Sequence, residues 1–331
     1  MGDALLPAAV VLATGVLSCV TTRALIPLLR RREILDHPND RSLHAVPTPR
    51  GGGVAVVGSV ALAWWFLARV GLAPEGVAGI LFGAGLLAIV SWIDDLRGLS
   101  PILRLVAQAA VVAIGVSVLS QTHGPLRGWL GDLTYPAVIG LVWVWWVNLF
   151  NFMDGIDGLA GSEAASIGAG LLLFAMLGVG SNPVLASLAA AIVGGSIGFL
   201  VWNWSPARIF LGDVGSAPLG YLLGFLLLGL AARGFWKIAL ILPLYFLADA
   251  TITLARRVLR GQRVWEAHRE HFYQLAVRRD LGHAAVVERV IAADVLLIGC
   301  GWAAENGWGW VSLVAAVAIV TTLLAVLIRG R

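Results

Sequence analysis

Apolar runs of about 20 residues follow one another along almost the whole chain, and this removes most folds from consideration. Backbone polar groups in hydrocarbon must be satisfied within the structure, which leaves helices or closed barrels. Runs of this length suit helices, since about 20 residues span a bilayer core. The runs are 4–29, 51–70, 76–93, 102–120, 134–151, 163–180, 184–202, 214–232, 236–256, 285–304 and 308–328. Composition agrees: 13% of residues are charged, against about 25% in soluble proteins, and mean hydropathy is +0.87. The expected fold is all-α, a polytopic membrane bundle of about 10–11 transmembrane helices forming one domain over 1–331. The first run lacks the basic flank and cleavage site of a signal peptide and reads as a membrane helix. Cys19 and Cys300 lie inside apolar runs and fit neither a metal spacing nor a disulfide framework.

The charges orient the bundle. By parity, the connections near 30–50, 94–101, 152–162, 203–213 and 257–284 share one face. Arg30, Arg31, Arg32, Arg41 and Arg50 lie in the first, and Arg260, Arg263, Arg269, Arg278 and Arg279 in the last. The other face has only Arg69, Arg127, Arg233 and the single lysine, Lys237, in or beside its loops. Positive residues favour the cytoplasmic side, so the first face is expected to be cytoplasmic. The formal charge of +4 then reports loops beside anionic lipid head groups rather than nucleic acid. No RNA-binding module accompanies the basic loop.

That assignment used arginines alone, yet it places every acidic cluster on the same face. Adjacent carboxylates, as in Asp94-Asp95, repel and call for a cation or a proton; a solvated helix end beside Arg97 is the plainer reading. Asn151-Phe152-Met153-Asp154-Gly155-Ile156-Asp157-Gly158 packs two acids and an amide into a glycine-punctuated turn, where glycine permits close approach to a ligand. Turn chemistry alone also accounts for Asp-Gly twice. Asp213, at the start of a helix, is a metal ligand or an N-terminal cap. His268-Arg269-Glu270-His271 places two histidines three apart, on one face if helical, among arginines suited to pyrophosphate. Asp249, inside an apolar run, is expected to pair with Arg256. The tryptophans fit interfacial belts, although Trp143, Trp145 and Trp146 equally suit a core.

Taken together, these strings resemble the polyprenyl-phosphate N-acetylhexosamine-1-phosphate transferases, whose types include WecA, WbpL and MraY. The likeness runs from Asp36-His37-Pro38-Asn39, with His44 and Pro47-Thr48-Pro49-Arg50-Gly51-Gly52-Gly53, to His271. The resemblance implies transfer of a sugar-1-phosphate from a UDP-sugar to undecaprenyl phosphate, with release of UMP. It implies Mg²⁺, with Mn²⁺ as a substitute, and Asp213 and Asn151 as metal ligands. Asp94, Asp95, His268 and His271 would be catalytic. His44, Arg104, Asp154, Asp157, Asn203 and Arg269 would bind substrate. A bacterial inner-membrane location, a cytoplasmic site and a homodimer follow from the same likeness. The last-loop run is closer to O-antigen-type members than to those that use UDP-MurNAc-pentapeptide, which implies a UDP-N-acetylhexosamine or a deoxy derivative. An ion-coupled transporter would place its charges near the bilayer midplane. A CDP-alcohol phosphotransferase would need an Ala-Arg and a further Asp pair after Asp154-Gly155. Neither pattern is found.

Overall fold

The structure, a computed structural model, describes residues 2–38, 43–44, 46–120, 124–177, 182–263 and 268–330. Asn39 and Arg41, named above, lie outside these residues. The elements run α1 (Gly2–Arg31), β1 (Leu35–Asp36), β2 (Thr48–Pro49), α2 (Gly53–Arg69), α3 (Val77–Arg97) and α4 (Pro101–Leu119). Next come α5 (Pro125–Leu130), α6 (Thr134–Phe152), α7 (Leu159–Met176), α8 (Pro183–Asn203) and α9 (Asp213–Leu230). The chain ends with α10 (Trp236–Ile241), α11 (Leu244–Leu259), α12 (Phe272–Val277), α13 (His283–Ala303) and α14 (Gly309–Arg329). β1 and β2 form one small antiparallel pair, so the protein is an all-α bundle.

Eight helical stretches among the described residues are long and apolar enough to cross a membrane. The predicted runs all fall on helix, but not one to one. α9 continues through a kink at Gly234 into α10, and α13 and α14 join across a break at Asn306 and Gly307. The expected run 236–256 is not a single helix. It breaks between Ile241 and Leu244, where Pro243 stands; proline lacks the N–H that would continue the ladder, and its ring opposes the preceding turn. α7 starts at Leu159, four residues before the expected 163.

The core gathers on α9. Trp143 and Trp146 of α6 are buried, and their indole N–H groups donate to the carbonyls of Tyr221 and Gly220 at 3.1 and 2.8 Å. Trp143 also stacks on Tyr221. A buried indole needs a hydrogen-bond partner, and here it finds one on the facing backbone, so these two tryptophans are core. On the other side α1 packs along α8, with the Ser18 hydroxyl donating to the Gly195 carbonyl at 2.7 Å. Such small-residue seams let apolar helices approach closely in lipid, where no hydrophobic drive brings them together.

One close approach positions the functional end. At Gly53 on α2 and Gly215 on α9 the two backbones touch, and a Cβ on either would collide with the other. The strand leading into α2 is laced to the segment before α9: Phe210 N–H donates to Pro49 O, Gly52 N–H to Phe210 O and Gly53 N–H to Leu211 O, all at 2.8 Å. Arg50 is thereby fixed beside Asp213.

Candidate active site

Four acids converge where α3, α6 and α9 end. Asp95, with its side chain 2% exposed, accepts the N–H groups of Asp213 and Val214 at 3.2 and 3.0 Å. It therefore caps the start of α9 from another helix, satisfying donors that a helix leaves orphaned. Asp213, the first residue of α9, has no capping side chain of its own and leaves its carboxylate free for other work. Arg50 Nη2 bridges Asp95 Oδ1 at 2.6 Å and Asp213 Oδ1 at 3.0 Å. Asp94 accepts the Leu99 N–H at 2.6 Å and Arg104 Nη1 at 3.1 Å, and the same guanidinium lies 3.9 Å from Asp213 Oδ2. Asp94 is thus mostly buried and paired with Arg104, which sets aside the plainer reading of a solvated helix end beside Arg97.

Two cavities open from this junction. The first, about 320 Å³, is polar and is lined by Asp36, His44, Arg50, Asp154, Asp157, Asn203, Asp213, Gln274 and His283. His44 packs its ring edge-on to Phe210, with Nε2 3.3 Å from Asp36. Asp157 accepts the Ala207 N–H at 3.1 Å and lies 3.3 Å from His283 Nδ1. Burial works to raise its carboxyl, but His283 and the Ala207 N–H outweigh it and hold the group below the usual carboxylate range. Asp154 behaves oppositely: burial and the facing Asp213 push it well above that range, against the opposing pull of Arg50. Burial works to lower the Arg50 guanidinium, but Asp213, Asp95 and Asp36 outweigh it and raise the group above its ordinary value. Asn203 lines the cavity, but its amide is committed to scaffolding. It accepts the Gly158 N–H and donates to the Ile209 carbonyl, both at 2.9 Å. Gly155 also lines the cavity, and a Cβ there would meet the Tyr273 hydroxyl, which donates to the Phe152 carbonyl at 2.9 Å.

The second cavity, about 680 Å³, is a groove with one polar end. Asp94, Arg104, Asn151, Asp213, His268 and His271 mark that end, and Leu87, Val90, Leu105, Leu141, Val144 and Trp145 form the apolar wall. Asp213 and Gln274 line both cavities. Arg269 lines a third cavity of about 650 Å³ with Arg257, Arg263 and Arg278, which shares His268 with the groove.

The two histidines meet, though not on a helix face. Residues 268–270 are irregular and His271 is the residue before α12, yet the rings stack with centroids 4.9 Å apart. The expected Asp249–Arg256 pair is replaced by another. Asp249, fully buried, lies 3.0 Å from His271 Nδ1 and accepts the N–H groups of Phe272 and Tyr273. Arg256 stacks on the Phe272 ring instead. A carboxylate offers about four acceptor sites, and here the start of α12 and the His271 ring fill them from one side.

Among the described residues no three His, Cys, Asp or Glu side chains are arranged to hold a metal ion. A small divalent cation of the Mg²⁺ kind asks for less: one or two protein ligands, the rest from phosphate and water. Asn151 and Asp213 on the groove meet that demand. The Asn151 amide nitrogen is engaged by Ser216 Oγ at 2.8 Å, which leaves its carbonyl oxygen available. Asp94, Asp95 and Asp213 also outnumber Arg50 and Arg104, so the donor set fits a cation. Sequence reasoning had not singled out Arg50, Gln274, Ser216 or His283 for the site. Arg50, beside a glycine triplet, and Ser216, three residues past Asp213, carry a local signal.

A family model described as glycosyl transferase family 4 matches residues 77–231. The match contains every acid of the junction but not Arg50, Asp249 or His271. The chain is 29% identical over 302 residues to a probable undecaprenyl-phosphate N-acetylglucosaminyl 1-phosphate transferase of Bacillus subtilis, covering 86% of this chain and 80% of that protein. It is 33% identical over 320 residues to a phospho-N-acetylmuramoyl-pentapeptide-transferase of Mycobacterium leprae, covering 79% and 87%. It is 32% identical over 264 residues to the protein of that name from Rippkaea orientalis, covering 72% and 69%.

Proposed function

The chain belongs to glycosyl transferase family 4, the polyprenyl-phosphate N-acetylhexosamine-1-phosphate transferases, and on that premise we propose that it joins a UDP-N-acetylhexosamine to undecaprenyl phosphate. The observation that carries this reading is the meeting of a polar and an apolar-walled cavity at Asp213. One suits a water-borne nucleotide sugar. The other suits a lipid phosphate whose tail leaves along Leu105, Leu141 and Val144. An oxygen of the lipid phosphate attacks the phosphorus bearing the sugar. A P–O–P linkage forms, the bond to UMP breaks, and UMP leaves.

In-line phosphoryl transfer needs positioning and charge stabilisation more than covalent chemistry. Arg50 and Arg104 supply fixed positive charge between two approaching anions. A bound Mg²⁺, held by Asp213 and Asn151, would add charge neutralisation at the phosphates. Asp94, tied to Arg104 and the Leu99 N–H, orients that guanidinium. The second pKa of a phosphate monoester is about 6, so little proton removal is asked of it. The same reading puts the site on the cytoplasmic face of the bacterial inner membrane, at the first membrane step of O-antigen or related surface polysaccharide synthesis.

The test is incubation of purified protein with undecaprenyl phosphate, Mg²⁺ and a panel of UDP-sugars that includes UDP-MurNAc-pentapeptide. UMP and a lipid heavier by one N-acetylhexosamine phosphate are expected. Turnover of the pentapeptide donor alone would assign the chain to cell-wall lipid synthesis instead.

A further inference from the structure

Asp249 is buried, yet it carries no salt partner among Lys or Arg in the described residues. It gathers donors from two directions. Phe272 N–H, Tyr273 N–H and His271 Nδ1 approach at 3.1, 3.3 and 3.0 Å, and Thr253 Oγ1 and Tyr245 OH donate at 3.3 and 3.4 Å. Each of these partners is a donor to a carboxylate, so the bond to His271 fixes the imidazole proton on Nδ1. The Nε2 atom is then the ring's remaining polar position. His271 lines the polar end of the groove, in the company of Asp94, Arg104 and Asp213.

We propose that Asp249 is a positioning residue for the transfer: it holds His271 with Nδ1 protonated, so that Nε2 accepts the last proton of the lipid phosphate. The proposal rests on the transferase reading. A monoanionic phosphate gives its proton to Nε2, becomes the dianion and attacks. The proton stays on the imidazolium, beside the Asp249 carboxylate, and leaves to water after UMP departs. This is the division of labour by which a carboxylate orients a histidine base rather than taking the proton itself. The charged and titratable groups facing His271 are Asp249 and Tyr245 of α11, Tyr273 of α12 and the stacked His268. Across the groove stand Asp94 of α3, Arg104 of α4 and Asp213 of α9.

Asparagine at 249 keeps an acceptor for the backbone but presents an amide N–H, which forces the other tautomer. In full-length protein in detergent, ¹⁵N shifts of labelled histidine should report Nδ1–H for His271 in the wild type and Nε2–H in Asp249→Asn. An Nε2–H ring in the wild type overturns the proposal without any need for turnover. In the turnover assay, Asp249→Asn is expected to lower kcat below about pH 6, where the lipid phosphate is the monoanion, to leave kcat near neutral pH and the KM for the UDP-sugar unchanged, and to move the acid limb of the pH profile upward. In a His271→Gln background it should cost nothing more, because residues acting as a unit are not additive. Additive losses, or an unchanged profile, sink the idea. Should Asp249→Asn not fold, His271→Gln leaves the backbone bonds intact and must move the same limb upward. Wild-type protein that releases no UMP with any donor defeats the transferase reading instead. Wild type and Asp249→Asn turning over alike below about pH 6 defeats only this one.

Discussion

The two cavities that meet at Asp213 hold their acids in different ways. In the polar cavity, Asp157 is pinned by a backbone N–H and by His283, and Asn203 is spent on two backbone groups. In the groove, Asp94 is held by Arg104, and at the shared wall Asp213 is held by Arg50 from the polar side, both long side chains about one-third exposed. Pinned groups keep a pocket's shape. Guanidinium groups can instead turn from a carboxylate to an arriving phosphate, since both offer the same paired oxygens.

Substitutions can break that contrast. The largest effect is expected at the shared wall: Asp213→Asn, or Asp94→Asn in the groove, should reduce UMP release by roughly 10³-fold or more, in protein that still inserts and melts as a folded species. Near-normal turnover in both would end the assignment of the junction as the reacting centre. A smaller and one-sided effect should follow from filling the apolar wall. Val144→Trp should raise the KM for undecaprenyl phosphate about tenfold, a loss of about 1.4 kcal/mol, with the KM for the UDP-sugar unchanged. Equal changes in both constants would mean that the cavities do not divide the substrates. The smallest effect concerns Asp157. Its folded carboxyl lies below the usual range, so it adds stability that is present above an unfolded pKa of about 3.9. That stability is lost as pH falls through the folded value. Asp157→Asn should therefore melt lower than wild type at neutral pH, with the gap closing toward pH 3. A gap that widens in acid would show that Asp157 is not held as described.

The helical bundle was legible because runs of apolar residues leave the backbone no other solution, and the acids stood out because hydrocarbon penalises them. What the sequence obscured was pairing. Asp249 and Arg256 sit on one helix seven residues apart, which invites a local salt bridge. The donors that won lie more than 20 residues further on, at the start of α12, where orphaned N–H groups outbid a side chain. Asn203 and Gly155 read as ligand contacts because amides and glycines near acids so often are. In the structure both line the polar cavity, and they also brace the loops that shape it. Arg50 was hidden differently: nothing near it in sequence names Asp213, 163 residues away, and only the backbone lacing to Phe210 brings them together. The break at Pro243 was visible as a letter but not as a consequence, since apolar residues on both sides mask it.

The indole pair on α6 has an outcome that reaches beyond packing. Trp143 and Trp146 grip consecutive carbonyls of α9, seven and eight residues past Asp213, while Asn151 rides the same α6 only five residues beyond the second grip. The two helices therefore behave as one rigid caliper whose jaws are the amide and the carboxylate. The gap between the jaws is thus braced from the apolar interior as well as by the Arg50 guanidinium at its mouth.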